Sequence, residues 1–195
     1  MGKTYTSINT NIQQWIAEQH MFFVATAPLS AQGLVNLSPK GHDTLRVINE
    51  HTLAFLDYGG SGIETVAHLR ENQRIVIMMC AVAGPPKIYR FHGSGQVITP
   101  VDADFADLAQ HFDRSELGIR SIIRVNVSRV SDSCGFGVPF YGYQGERPTS
   151  PDYIRVNGEE KIRAYLKEEN ARSLDGLPGL SPAEAGAYEG PAKGD

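Results

Sequence analysis

Ile8, Ile12, Trp15 and Ile16 fall on one face of a helix, spaced four, three and one residues apart, and Ser7 stands where a cap would. The pattern then changes period. Six runs rich in β-branched and aromatic residues follow, each closed by turn residues: 22–27 (FFVATA), 33–40 (GLVNLSPK), 52–58 (TLAFLDY), 74–83 (RIVIMMCAVA), 87–98 (KIYRFHGSGQVI) and 122–130 (IIRVNVSRV). Gly93 and Gly95 lie inside the fifth run, which predicts a bulge or a close backbone approach there. Helical spacing returns twice between strands, at 61–72 (Ile63, Val66, Leu69) and at 99–112. Each of these opens on Ser or Thr with an acid three residues later, the signature of a capped helix start. Short strands with only two intervening helices predict a small barrel and not a βαβ sheet.

The pattern is weaker after Ser131. Residues 133–146 (SCGFGVPFYGYQGE) read as an irregular Gly- and aromatic-rich loop. Residues 158–173 read as a charged surface helix with Ile162, Tyr165 and Leu166 on one side. The stretch 174–195 carries five Gly and three Pro, so composition predicts an extended or mobile tail. This divides the chain into one domain over 1–173, ending in that helix, and a tail over 174–195.

Composition narrows the function classes. The chain has 195 residues, 41% hydrophobic and 21% charged, with 18 basic against 22 acidic side chains and a net charge of −4. That balance argues against nucleic acid as a partner. The longest apolar run, 75–83 (IVIMMCAVA), is far shorter than the roughly 20 residues of a spanning helix. The segment MGKTYTSINTN lacks the apolar centre of a signal peptide, and two cysteines make no disulfide framework. These features predict a soluble cytoplasmic protein without a membrane partner.

Two stretches could carry chemistry. In 57–65 (DYGGSGIET) a glycine-rich turn runs into a helix start, where unpaired N–H groups and the positive dipole end suit a phosphate, with Ser61 and Thr65 as hydroxyl donors. The alternative is that Ser61 and Glu64 simply form a capping box. In 35–41 (VNLSPKG) the two-residue period puts Asn36, Ser38 and Lys40 on one face of a strand. The alternative there is the solvent face of an edge strand, which Pro39 suits. The six histidines show no metal-ligand spacing, and there is no GxSxG elbow. Cys80 reads as an inert core residue; Cys134, in a glycine-rich loop, reads as structural, with a reactive thiol as the alternative.

Taken in order, VNLSPKG, YGGSGIETVAHLRENQRIVIMM (58–79) and GPPKIYRFHGSGQV (84–97) resemble the pyridoxamine 5′-phosphate oxidase-like family of FMN-binding split barrels. SCGFGVP (133–139) and NARSLDGLPG (170–179) resemble one subgroup of it. The resemblance implies a six-stranded antiparallel split β-barrel with short flanking helices, working as a homodimer with FMN between the subunits. By position it implies that Asn36, Ser38 and Lys40 line the flavin and reach its phosphate. Ser61, Gly62 and Thr65 would form the phosphate turn, and Lys87 would face the ring from the partner subunit. It implies a flavin-dependent oxidoreductase acting on a small molecule, with a non-catalytic module holding FMN, deazaflavin or haem as the alternative. No catalytic acid or base is identified. Two departures stand out: Gly62-Ile63-Glu64 replaces the usual basic residue after the serine, and Asn36 replaces an arginine. The Arg- and Trp-bearing C-terminal segment of true oxidases is also missing, since the one tryptophan is Trp15. Efficient oxidation of pyridoxamine 5′-phosphate is therefore not expected.

Overall fold

The computed structural model describes residues 2–113 and 118–190. The elements in order are β1 (Thr4–Tyr5), α1 (Thr10–Ala17), β2 (Phe22–Thr26), β3 (Asn36–Lys40), β4 (Leu45–Asn49), β5 (Thr52–Asp57), α2 (Glu64–Asn72), β6 (Arg74–Cys80), β7 (Ile88–Ile98), α3 (Phe105–Ala109), β8 (Ser121–Ser133), α4 (Thr149–Glu169) and α5 (Pro182–Gly186).

Seven antiparallel strands form one sheet in the order β3-β2-β6-β7-β8-β5-β4, and the short β1 adds to β8 outside this path. The connectivity forces the sheet to curl. β3 and β4 are its two opposite edges, yet only residues 41–44 join them. Five Cα–Cα steps reach less than about 20 Å, so the edges must come round toward each other. The result is a half-barrel, the split barrel expected, with seven strands on its path where six were expected. The strand missed is β4. Leu45 and Val47 alternate along it, and both pack against the main core.

That core fills the inside of the curl. It joins Val24, Phe55, Ile77, Phe91 and Val125 of the sheet to Ile12 and Ile16 of α1 and Val66 and Leu69 of α2. A second cluster, Phe105, Leu108 and Phe112 against Leu56, Ile98 and Ile122, seats α3 on the sheet. The strand glycine behaves as expected. The β7–β8 register shifts between His92 and Gly93, and a Cβ on Gly93 would stand 2.1 Å from the Asn126 carbonyl oxygen.

Helix ends depart from the sequence expectation. Asn9, not Ser7, caps α1, accepting from the Ile12 N–H at 3.1 Å. Thr99 does donate to Asp102, but this closes a turn, and α3 covers only five residues further on. α4 breaks at Gly158, whose φ of 74° no helix allows, and its second half buries Ile162 and Leu166 as predicted. The largest correction concerns the tail. Within 174–190 the chain packs on the domain and holds a short helix: Ser181 and Glu184 cap α5 reciprocally, and Leu180, Ala185 and Tyr188 are buried in the main core. Residues 191–195 lie outside the described residues.

Candidate functional site

The curl brings the C-terminal ends of β3 and β5 together beside the N-terminal end of α2. Between them lies a cavity of about 160 Å³, lined by Asn36, Ser38, Lys40, Asp57, Thr65 and Arg120, with Gly60 and Gly62 at its rim. Five of the seven residues expected to hold a cofactor therefore converge here: Asn36, Ser38, Lys40, Gly62 and Thr65. Ser61 is in the same turn, exposed. Lys87 is not among the lining residues, and its ammonium pairs with Asp132 at 3.0 Å.

The edge-strand and ligand readings of β3 prove compatible. Asn36, Ser38 and Lys40 are half-buried and line the cavity, while Leu37 and Pro39 between them are exposed, Pro39 at the border between the cavity and its neighbouring cleft. The capping-box reading of Ser61 and Glu64 does not hold. No side chain caps α2, whose Ncap position is Ile63, and the Glu64 carboxylate accepts instead from the Leu174 N–H at 3.2 Å. The first-turn N–H groups of α2 are thus left without a side-chain acceptor.

A buried ion cluster sets the shape of the turn. Asp57 is fully buried and accepts two hydrogen bonds of 2.9 Å from the Arg120 guanidinium, one of 2.9 Å from the Ser121 hydroxyl and a longer one of 3.4 Å from Lys40. Burial alone would raise its pKa, but Arg120 and Lys40 outweigh this and hold the carboxyl below the usual range. The remaining guanidinium edge donates to the Gly62 carbonyl at 2.8 Å and to Asn170 Oδ1 at 2.6 Å. Asn170 in turn donates to the Gly60 carbonyl at 3.0 Å. Two carbonyls of the glycine turn are pinned from behind in this way.

Sequence reasoning missed Arg120, and no local pattern marks an arginine at a strand entry as buried. It did single out NARSLDGLPG, and the structure shows what this motif does. Asn170 holds the turn, the Leu174 N–H holds Glu64, and Asp175 accepts from the Leu34 N–H at 3.0 Å. The motif is a clasp across the back of the cavity.

The electrostatics are finely balanced. Lys40 and Arg120 carry two positive charges at the cavity, and Asp57 and Glu64 carry two negative ones. An anion here must rely on directed donors: the Lys40 ammonium, the Thr65 hydroxyl and the start of α2. A wider cleft of about 450 Å³ shares Pro39, Lys40 and Tyr58 with this cavity. His20, Met21, Cys80, Val82, Tyr141 and Tyr143 contribute to its walls, and Tyr143 stacks on His20 at 3.6 Å between ring centres. Cys80 is thus half-buried in a cleft wall and not in the core, and burial pushes its thiol pKa up. No cluster of metal-ligating side chains occurs among the described residues, and no helix among them is long and apolar enough to cross a membrane.

Residues 8–134 match the profile of the family described as pyridoxamine 5′-phosphate oxidase. A curated relative, the pyridoxamine 5′-phosphate oxidase family protein ustO of Aspergillus flavus, is 34% identical over 197 residues, covering 92% of this chain and 78% of that protein. Among solved structures, HupZ of Group A Streptococcus aligns with a TM-score of 0.52 at 22% identity, over 63% of this chain and 91% of its own. A variant of HupZ aligns at 0.54 and 21%, over 65% and 99%. At that identity the likeness concerns the fold.

Proposed function

The chain belongs to the pyridoxamine 5′-phosphate oxidase family, and from that premise we propose that it binds FMN and acts as a flavin-dependent oxidoreductase on a small molecule. One observation carries the reading. Lys40, Thr65 and the uncapped start of α2 converge on a cavity of phosphate size, and that cavity opens beside an aromatic-walled cleft. The donor set fits a phosphate ester: one ammonium, hydroxyls and helix N–H groups. Lys40, Thr65 and Ser61 hold the phosphate, Asn36 and Ser38 line its approach, and the cleft takes the ring. Bound FMN supplies two-electron chemistry. The protein binds it, orients it and shields it from water.

The proposed assembly is a homodimer. Val35 and Leu37 of the β3 edge are 75% and 62% exposed, an apolar flank beside the cleft that a second copy would cover. Native mass spectrometry tests both points. A mass of two chains with two FMN is expected, and an FMN-free protein that takes up none of the added cofactor would refute the assignment. The second reading is a non-catalytic module that holds FMN, deazaflavin or haem, and the balance of two cations against two carboxylates at the cavity leaves room for it. The absorption spectrum separates these ligands, and turnover with NADPH or NADH and a panel of acceptors separates enzyme from carrier.

Two results follow for ligand selection. Lys40→Ala removes the ammonium that lines the cavity and should weaken FMN binding about tenfold, an effect that shrinks as salt rises. Glu64→Gln should tighten binding, since it removes a negative charge from the same cavity. Titration calorimetry over a salt series checks both. The second result concerns pyridoxamine 5′-phosphate. Its dianion needs a further paired clamp, and the cleft walls offer a single arginine, Arg147, with the Glu146 carboxylate beside it. A peroxide-coupled assay should give kcat/KM well below about 10⁴ M⁻¹s⁻¹, the lower end of ordinary enzymes.

A further inference from the structure

His68 lies on the inner face of α2 with no solvent exposure. Its Nδ1 is 3.0 Å from the Thr26 hydroxyl, and its Nε2 has no hydrogen-bond partner among the described residues. Asp175 Oδ2 lies 3.9 Å from Nε2. Thr26 also touches the amide of Asn36, which reaches on to Thr65, while Ser38 meets the amide oxygen. A hydrogen-bonded chain therefore runs from His68 through Thr26 and Asn36 to Thr65 and Ser38 at the cavity, with the Asp175 carboxylate of the clasp 3.9 Å behind its first member.

Hydrogen accounting gives this chain a direction. Nε2 faces a carboxylate, and a bare nitrogen there would set lone pair against lone pair. The proton of neutral His68 therefore sits on Nε2, and Nδ1 is an acceptor. Nδ1 then takes the single hydroxyl hydrogen of Thr26, so Thr26 can only accept from Asn36. That orients the Asn36 amide with its NH₂ toward Thr26 and Thr65 and its oxygen toward Ser38, and both NH₂ hydrogens are used. Ser38 spends its hydrogen on Asn36. Thr65 accepts from Asn36, and its own hydrogen has no acceptor among the described residues.

We propose that His68 and Asp175 are positioning residues that set the polarity of this relay, so that Thr65 presents a free O–H donor to an anion in the cavity. The inference rests on the phosphate-binding reading for its ligand but not for its tautomer. With a second proton on His68, Nδ1–H would donate to Thr26. Thr26 and then Thr65 would turn their hydrogens to a flipped Asn36 oxygen, and the donor would be withdrawn from the cavity. Burial lowers the His68 pKa against the opposing pull of Asp175, Glu64 and Glu71, so the residue stays neutral at ordinary pH.

The test has two parts. Long-range ¹H–¹⁵N correlation on the full-length, FMN-free protein should show His68 protonated at Nε2 and bare at Nδ1. Asp175→Ala should lose that preference, and Asp175→Asn, which keeps an oxygen facing Nε2, should retain it. The second part is FMN titration, with riboflavin as a probe that lacks the phosphate. Asp175→Ala should weaken FMN about tenfold and leave riboflavin unchanged. Combined with Thr65→Val it should weaken FMN no further than Thr65→Val alone. A parent protein protonated at Nδ1, or additive effects of the two substitutions, would overturn the relay. If no variant and no parent binds FMN, the function reading fails, and the tautomer result still decides the relay.

Discussion

Asp57→Asn is expected to cost about 3–5 kcal/mol of stability, the range for removing one partner of a buried ion pair. Asn cannot neutralise Arg120, whose side chain is only 4% exposed and which makes both of its shortest charge contacts with this carboxylate. For a chain of this length the melting temperature should fall by roughly 2–4 °C per kcal/mol. The same guanidinium holds the Gly62 carbonyl and Asn170, so FMN affinity should fall as well. A double change, Asp57→Leu with Arg120→Met, removes both charges and should recover much of the stability but not the binding. That split separates the fold's need for the pair from the cavity's need for it. The parent's acid limb has a defined sign. Because the folded carboxyl titrates below its unfolded value of about 3.9, the pair stabilises the fold above that pH. The contribution is lost as pH falls through the lower, folded value. Asp57→Asn should flatten this limb in a denaturation series. A variant as stable as the parent across pH would show that Arg120 is satisfied some other way.

Tyr188→Ala is expected to cost a similar amount, about 3–5 kcal/mol, as for other large aromatic side chains removed from a core. Tyr188 is 1% exposed and belongs to the same core cluster as Val66, Ile162 and Leu166. Burial pushes its phenol pKa up to about 12, consistent with a ring enclosed by the fold. Denaturant unfolding should show a lower midpoint with an unchanged slope. Limited proteolysis should then cut first within 174–190, where the anchored clasp loosens. A stability loss below about 1 kcal/mol, small for a core aromatic, would return this stretch to the extended or mobile tail that its composition suggests.

That tail is the clearest case of where a linear reading stops. Five glycines and three prolines over 174–195 describe a chain with little local preference. Composition cannot see that Leu180 and Tyr188 are buried in the main core. Residue-level signals fared better where one face is buried. The three-residue polar face of β3 was legible because its alternation is local. The bulge at Gly93 was legible because a missing side chain in a strand has few other uses. β4 was overlooked although its alternation of Leu45 and Val47 was present, because the charged and turn-forming residues on either side obscured it.

The sequence by itself determined the strand runs, the helix faces and the pairing of a polar strand with a glycine turn, since each depends on neighbours a few positions apart. It also carried the family resemblance. The tertiary structure decided which charges meet. Lys40 and Asp57 are brought together because a turn of four residues joins opposite edges of the sheet and curls it closed. Arg120 becomes a buried anchor because Asp57, Gly62 and Asn170, 50 to 63 residues away, surround it. His68 and Asp175, 107 positions apart, face each other only once the clasp packs against α2. Charge, burial and proton position at this site are sums over contacts distant in sequence, and no local pattern encodes them.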